Sequence, residues 1–238
     1  MKRSLLLPAL LVQAALLLPN LGLLPVWGDE QFTLSTIVLP IDRMLEAVGA
    51  DVHPPLYYLV NHFWLRLPLP GSEIVRVRFL SVMVCLLGTI AAYLIWVRPL
   101  KPGLRAWFLA LWVLSPFLLL YARMGRSYSM QLLFACLALG YGIDAGSRRN
   151  LLLYILWATI LLYTHYLPGI AVTVAVSVQG ELARVDAEAP LRQHGPQVVE
   201  GLEERRAVGA EDVRELGDPD RRVRRSLERL RIPGRHLG

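Results

Sequence analysis

From residue 77 to residue 97 the chain has twenty-one residues, of which only Arg78 is charged. About 20 apolar residues in helical form cross a bilayer core. Lipid offers no partner to a bare N–H or C=O, so such a stretch must satisfy its own backbone as a helix. Further apolar runs occupy residues 5–26, 104–121, 128–143, 151–163 and, shorter, 167–178. The six together predict an all-α, polytopic transmembrane helix bundle of about six spans. Composition agrees: 55% hydrophobic residues and a mean hydropathy of +0.44 are too apolar for an ordinary soluble domain. The first run follows Lys2 and Arg3, exceeds a signal peptide's apolar region and precedes no small-residue cleavage site, so it reads as an uncleaved span.

Composition changes abruptly near Gln179. Residues 1–179 hold every Lys, Phe, Trp and Tyr, whereas residues 180–238 carry 12 Arg and 12 Asp+Glu with no aromatic residue. The first part is expected to be the transmembrane domain. The second has little to bury and is expected to be a charged, partly disordered cytoplasmic tail. Abundant Arg without Lys or aromatics also suits a GC-rich gene read out of frame, so a truncated or frameshifted product stands beside a genuine tail. The net charge of +6 fits a topology signal rather than a nucleic-acid footprint. Cys85 and Cys136 lie in apolar runs and read as small core residues. No segment has zinc-ligand spacing or a Gly-rich phosphate loop.

Lys2/Arg3, Arg98/Lys101/Arg105 and Arg148/Arg149 fall on alternate sides of successive runs, and the positive-inside rule assigns all three clusters to the cytoplasm. Residues 27–76, Arg123/Arg126 and His165 then lie outside. In the first outer loop, residues 41–48 suggest a short helix ended by Gly49. Pro54 and Pro55 suit the first turn of a second helix, residues 56–67, which is too short to span and is expected to lie at the interface.

Asp29, Glu30, Asp51, His53, Arg78, Arg126 and His165 are scattered in sequence, yet this topology gathers them on one face. Each alone has a bland reading: solvated loop acids, arginines reaching lipid headgroups, an interfacial His. Their convergence at membrane level favours function, because ionisable groups there are costly.

Four stretches carry a resemblance: "DVHPPLYYLVNHFWLRL", "SEIVRVRFLS", "SPFLLLYARMGRSYSMQLL" and "LLYTHYLPG". Over residues 27–179 the chain resembles the N-terminal half of bacterial and archaeal integral-membrane glycosyltransferases of the GT-C fold, family 39, the protein mannosyltransferase-like group. The resemblance implies transfer of a hexose or mannose-like sugar from a polyprenyl- or dolichyl-phosphate carrier to a protein, lipid or glycan acceptor on the extracytoplasmic face of the cell membrane. It implies catalytic acids at Asp29 and Glu30, supporting residues at Asp51 and His53, and lipid-phosphate contacts at Arg78, Arg126 and His165. Two positions depart from the family pattern: Met124 stands where many members carry Glu, and Arg123 where a neutral residue is common. Family members also have about twice as many spans.

The chemistry is coherent with these residue types. A carboxylate takes the acceptor hydroxyl's proton, with Asp29 as the expected base. Arginine stabilises the charge that develops on the departing phosphate. Asp51 and His53 orient the base. A divalent ion is the weaker alternative, since two ligands do not make a metal site; no other cofactor and no nucleic acid is expected. Two other classes remain: an inactive fragment or non-enzymatic membrane protein, and a transporter, which would place polar groups at span midpoints.

Overall fold

A computed structural model describes residues 5–51 and 53–183. The chain divides into two compact units, Met1–Gly180 and Glu181–Gly238. The expected charged tail falls, beyond Ala183, outside the described residues.

Every regular element among the described residues is a helix. The first, α1, covers Leu6–Leu17, a correction to the single span expected over residues 5–26. Pro19 ends it, because a proline has no N–H to donate and its ring meets the carbonyl four residues earlier. Asn20 then turns the chain in the left-handed region at φ 60°, which Asn tolerates better than most residues.

Three short helices follow: α2 (Gly28–Ile37), α3 (Ile41–Gly49) and α4 (Leu56–Trp64). The apolar face of α3 turns Met44 and Val48 inward to meet Ile37 of α2 and Tyr57 and Tyr58 of α4. His62 Nδ1 donates to the Ile37 carbonyl at 2.7 Å, tying α4 to the end of α2. Arg76 Nη2 donates to the Trp64, Leu65 and Leu67 carbonyls at the end of α4, where a cation also complements the helix dipole.

The helix α5 (Glu73–Ala92) continues through a π-helical turn, Tyr93–Val97. Next come α6 (Pro102–Val113) and α7 (Pro116–Ala122), bent by 49° relative to each other. The expected single span over residues 104–121 is therefore a bent pair. Pro116 removes a backbone donor, and the Ser115 hydroxyl caps the new helix by accepting from Leu118 N–H. The remaining helices are α8 (Tyr128–Ile143), α9 (Arg148–Thr164) and α10 (Tyr166–Ala183).

Helix α8 packs between α5 and α9. Gly140 permits its close approach to α5's π turn, since a Cβ there would lie 2.6 Å from Ile95 Cγ2. On the other side of α5, the buried Gln13 of α1 accepts from Thr89 Oγ1 at 2.8 Å, and Trp112 Nε1 of α6 donates to the same hydroxyl at 3.0 Å. Polar groups inside an apolar bundle are costly unless paired, and these three pair with one another across three helices.

Two helical stretches, Glu73–Val97 and Tyr166–Ala183, are long and apolar enough to cross a membrane, or three if α6 and α7 form one broken span. The chain thus has the character of an all-α membrane protein with two to three candidate spans among the described residues. The expected six are not reached: α1 and α8 are apolar but shorter.

Candidate functional site

Asp29 and Glu30 are neighbours in the first turn of α2, where acids are favoured by the helix dipole. Adjacent helical residues point about 100° apart, and these two meet different surroundings. Glu30 is fully buried, and its carboxylate forms a two-pronged pair with Arg78 of α5: Nε donates to Oε1 at 2.9 Å and Nη2 to Oε2 at 2.7 Å. Gly125 N–H donates to the same Oε1 at 2.6 Å and Trp27 N–H to Oε2 at 3.2 Å. Burial by itself would raise the Glu30 pKa. The hydrogen bonds from Arg78, Gly125 and Trp27, with the Arg78 charge, outweigh it and hold the pKa below its ordinary value.

Arg78 is 1% exposed. Its other N–H groups donate to the carbonyls of Leu21, Leu24 and Pro25, at 2.7 to 3.0 Å. All five guanidinium donors are thereby engaged within the protein. These carbonyls belong to the irregular segment after α1, which the buried cation gathers up.

The second acid–arginine pair is open on the side of its acid, while Arg126 itself is buried. The Asp29 side chain is 68% exposed, and its Oδ2 lies 3.9 Å from Arg126 Nη2. Arg126 sits in the turn between α7 and α8. Its Nη1 donates to the Asp29 carbonyl at 3.2 Å and to Thr33 Oγ1 at 3.4 Å. Its Nη2 lies 3.1 Å from His53 Nε2, and His53 Nδ1 lies 2.9 Å from Asp51 Oδ2. His165, at the junction of α9 and α10, meets His53 edge to face with ring centroids 5.5 Å apart.

Burial, then the neighbouring His53 imidazole and the Arg126 charge, lower the His165 pKa and favour its neutral form. Its Nδ1 is shielded from solvent and meets no hydrogen-bond partner among the described residues. The Tyr58 phenol completes the ring, its pKa raised by burial and partly offset by the Arg126 charge.

The seven residues singled out in the sequence therefore form two groups. Asp29, Asp51, His53, Arg126 and His165 make a half-open polar cluster. Glu30 and Arg78 lie inside, joined to it by the Glu30–Gly125 bond beside Arg126. Among the described residues, no group of three or more His, Cys, Asp or Glu is placed to hold a metal ion.

Sequence reasoning missed the helix carrying Asp29, the roles of Gly125 and Thr33, and an apolar groove. The groove has a volume of about 470 Å³ and is walled largely by apolar side chains, among them Trp112, Phe117, Leu118 and Leu132. Its lining also includes Ser129, three residues past Arg126 in the chain, and Pro168, three past His165. No protein-family model, curated protein or solved structure matches the chain.

Proposed function

We propose that this chain is a membrane glycosyltransferase that moves a sugar from a polyprenyl- or dolichyl-phosphate carrier to an acceptor arriving from the extracytoplasmic side. The observation that carries the reading is an exposed carboxylate, Asp29, beside an incompletely neutralised Arg126, in a chain with an apolar groove whose lining includes Tyr128 and Ser129, two and three residues past Arg126. Such a site suits a ligand with one apolar end and one anionic end.

In the reaction, Asp29 takes the proton of the acceptor hydroxyl. The acceptor oxygen forms the new bond to C1 of the sugar, and the bond from C1 to the phosphate oxygen breaks. The electron pair leaves with the carrier phosphate, which gains one negative charge. Arg126 stabilises that charge, and His165 offers its unpartnered Nδ1 to the same phosphate. Glu30 has all its acceptor positions filled and Arg78 all its donors, so their part is to hold the site together.

The basic clusters at Arg98, Lys101, Arg105, Arg148 and Arg149 support the orientation through the positive-inside rule. Helix α8 carries the chain roughly 24 Å away from the cluster at 1.5 Å per residue, and α9 returns it. The site end then faces outward.

The test is turnover of a polyprenyl-phospho-mannose by the full chain in proteoliposomes, with release of polyprenyl phosphate as readout. Water can then serve as acceptor. Release by the wild type and its loss in Asp29→Asn is the expected result; no release with any polyprenyl-phospho-hexose sinks the proposal.

One observation favours a second reading, a non-catalytic partner within a larger bundle. Only 11% of the apolar window of α10 is buried, against 56% for α5, so α10 offers further helices a face.

A further inference from the structure

We propose that Asp51 and His53 are positioning residues for Arg126: Asp51 fixes the imidazole proton on Nδ1, which leaves Nε2 as the acceptor that anchors the guanidinium. The inference rests on the reading of Arg126 as the anion-binding group, but its core is a hydrogen-bond argument. An ionised carboxylate can only accept and a guanidinium can only donate. His53 stands between the two, 2.9 Å from Asp51 Oδ2 and 3.1 Å from Arg126 Nη2. One protonation state satisfies both contacts: a neutral ring with hydrogen on Nδ1 and a lone pair on Nε2. The other neutral tautomer sets a lone pair against the carboxylate and an N–H against the cation. A doubly protonated ring keeps the Asp51 contact but sets Nε2–H against Arg126.

The anchor acts on the guanidinium from the side opposite α2. From α2, Nη1 is held by the Asp29 carbonyl and Thr33 Oγ1. His53 holds Nη2. With both ends tied, the guanidinium keeps its place beside Asp29 without forming a close ion pair with it, the separation being 3.9 Å. Losing the His53 end frees Arg126 to close on Asp29. The cation would then neutralise the carboxylate, and both would be less available to a ligand.

The groups facing His53 are Asp51 from its own loop, Arg126 from the α7–α8 turn and His165 from the α9–α10 junction. Asp29 and Tyr58 face Arg126 in turn. A ring carrying both hydrogens offers no acceptor at Nε2, so the anchor requires the neutral ring.

The test uses the full chain in lipid nanodiscs, labelled with ¹⁵N-histidine, with His53 signals assigned by their absence in His53→Gln. At about pH 8 the wild type is expected to show His53 with hydrogen on Nδ1 and a bare Nε2. In Asp51→Ala the hydrogen is expected to redistribute to Nε2. A wild-type His53 carrying its hydrogen on Nε2, or an unchanged tautomer in Asp51→Ala, overturns the proposal. Because the first outcome does not use Asp51→Ala, the test survives that variant's failure to fold.

Binding of a polyprenyl monophosphate against the corresponding polyprenol supplies the second arm. Asp51→Ala is expected to weaken phosphate binding about tenfold and to leave polyprenol binding unchanged. Equal loss for both probes overturns the positioning role. A wild type with the expected tautomer but no preference for the phosphate refutes the transferase reading and leaves the hydrogen-bond relay standing.

Discussion

Asp29 and Glu30 are consecutive acids, each with an arginine from a distant part of the chain, and they make opposite kinds of pair. Glu30 and Arg78 meet at 2.7 Å with every polar position filled inside the protein. Asp29 and Arg126 stand 3.9 Å apart with the carboxylate largely in solvent. The first arrangement resists change, because removing either partner strands a buried charge. The second retains capacity to bind, because neither charge is fully compensated. The pairs are also coupled: the Glu30 carboxylate holds Gly125, next to Arg126, while the Asp29 carbonyl holds Arg126 itself. A closed pair thus sets the position of an open one.

The comparison breaks most visibly at the closed pair. Glu30→Ala or Arg78→Ala is expected to cost about 3–5 kcal/mol, read as thermal unfolding in detergent. The double variant Glu30→Leu/Arg78→Met should recover little, since the Leu21 carbonyl and the Gly125 N–H would remain buried and unpaired and the Leu24 and Pro25 carbonyls would lose their partner. Full recovery would show that the pair does not organise the segment after α1.

Asp29→Asn should leave the unfolding temperature nearly unchanged while sugar release falls about a hundredfold or more. A parallel loss of stability and activity would erase the distinction between the two acids.

Gly125→Ala probes the coupling. A Cβ there would lie 2.9 Å from Val77 Cγ1 and 3.2 Å from Glu30 Oε1. The expected cost is about 1–3 kcal/mol, with a loss of activity larger than the loss of stability accounts for. Unchanged unfolding and turnover would mean that the turn does not transmit the position of Glu30.

The smallest effect is in pH. Glu30 and His165 both have pKa values lowered in the fold, so for each the unfolded chain binds more protons. The stabilisation from Glu30 is complete above its ordinary value of 4.5 and is lost as pH falls through the lower folded value. That from His165 is present above 6.5 and declines in acid below it. Unfolding temperatures scanned from about pH 8 to about pH 5 should fall slightly, and His165→Gln should flatten that slope. A slope unaltered by the variant would assign it elsewhere.

How much of this was legible differs from element to element. The apolar run at residues 77–97 announced α5, and Gly49 with the Pro54–Pro55 corner announced two short helices, observed as Ile41–Gly49 and Leu56–Trp64. The gathering of Asp51, His53, Arg126 and His165 followed from alternating spans, and these groups do meet. By contrast, residues 28–37 gave no helical signal, because α2 mixes Thr, Ser and acids whose burial depends on what lies opposite. The end of α1 at Leu17 was hidden for another reason: hydropathy counts Pro19 and Asn20 within an otherwise apolar run, while backbone geometry stops the helix there.

What the sequence determined by itself was therefore coarse: an all-helical, membrane-type chain, because apolar length and backbone satisfaction admit little else. Which acid faces inward was decided only in the tertiary structure. Consecutive residues of α2 differ by about 100° in direction, and no local pattern says which direction meets Arg78 and the turn at Gly125. Those groups come from segments 48 and 95 residues away, and their convergence makes Glu30 the fastening and Asp29 the group left open to chemistry.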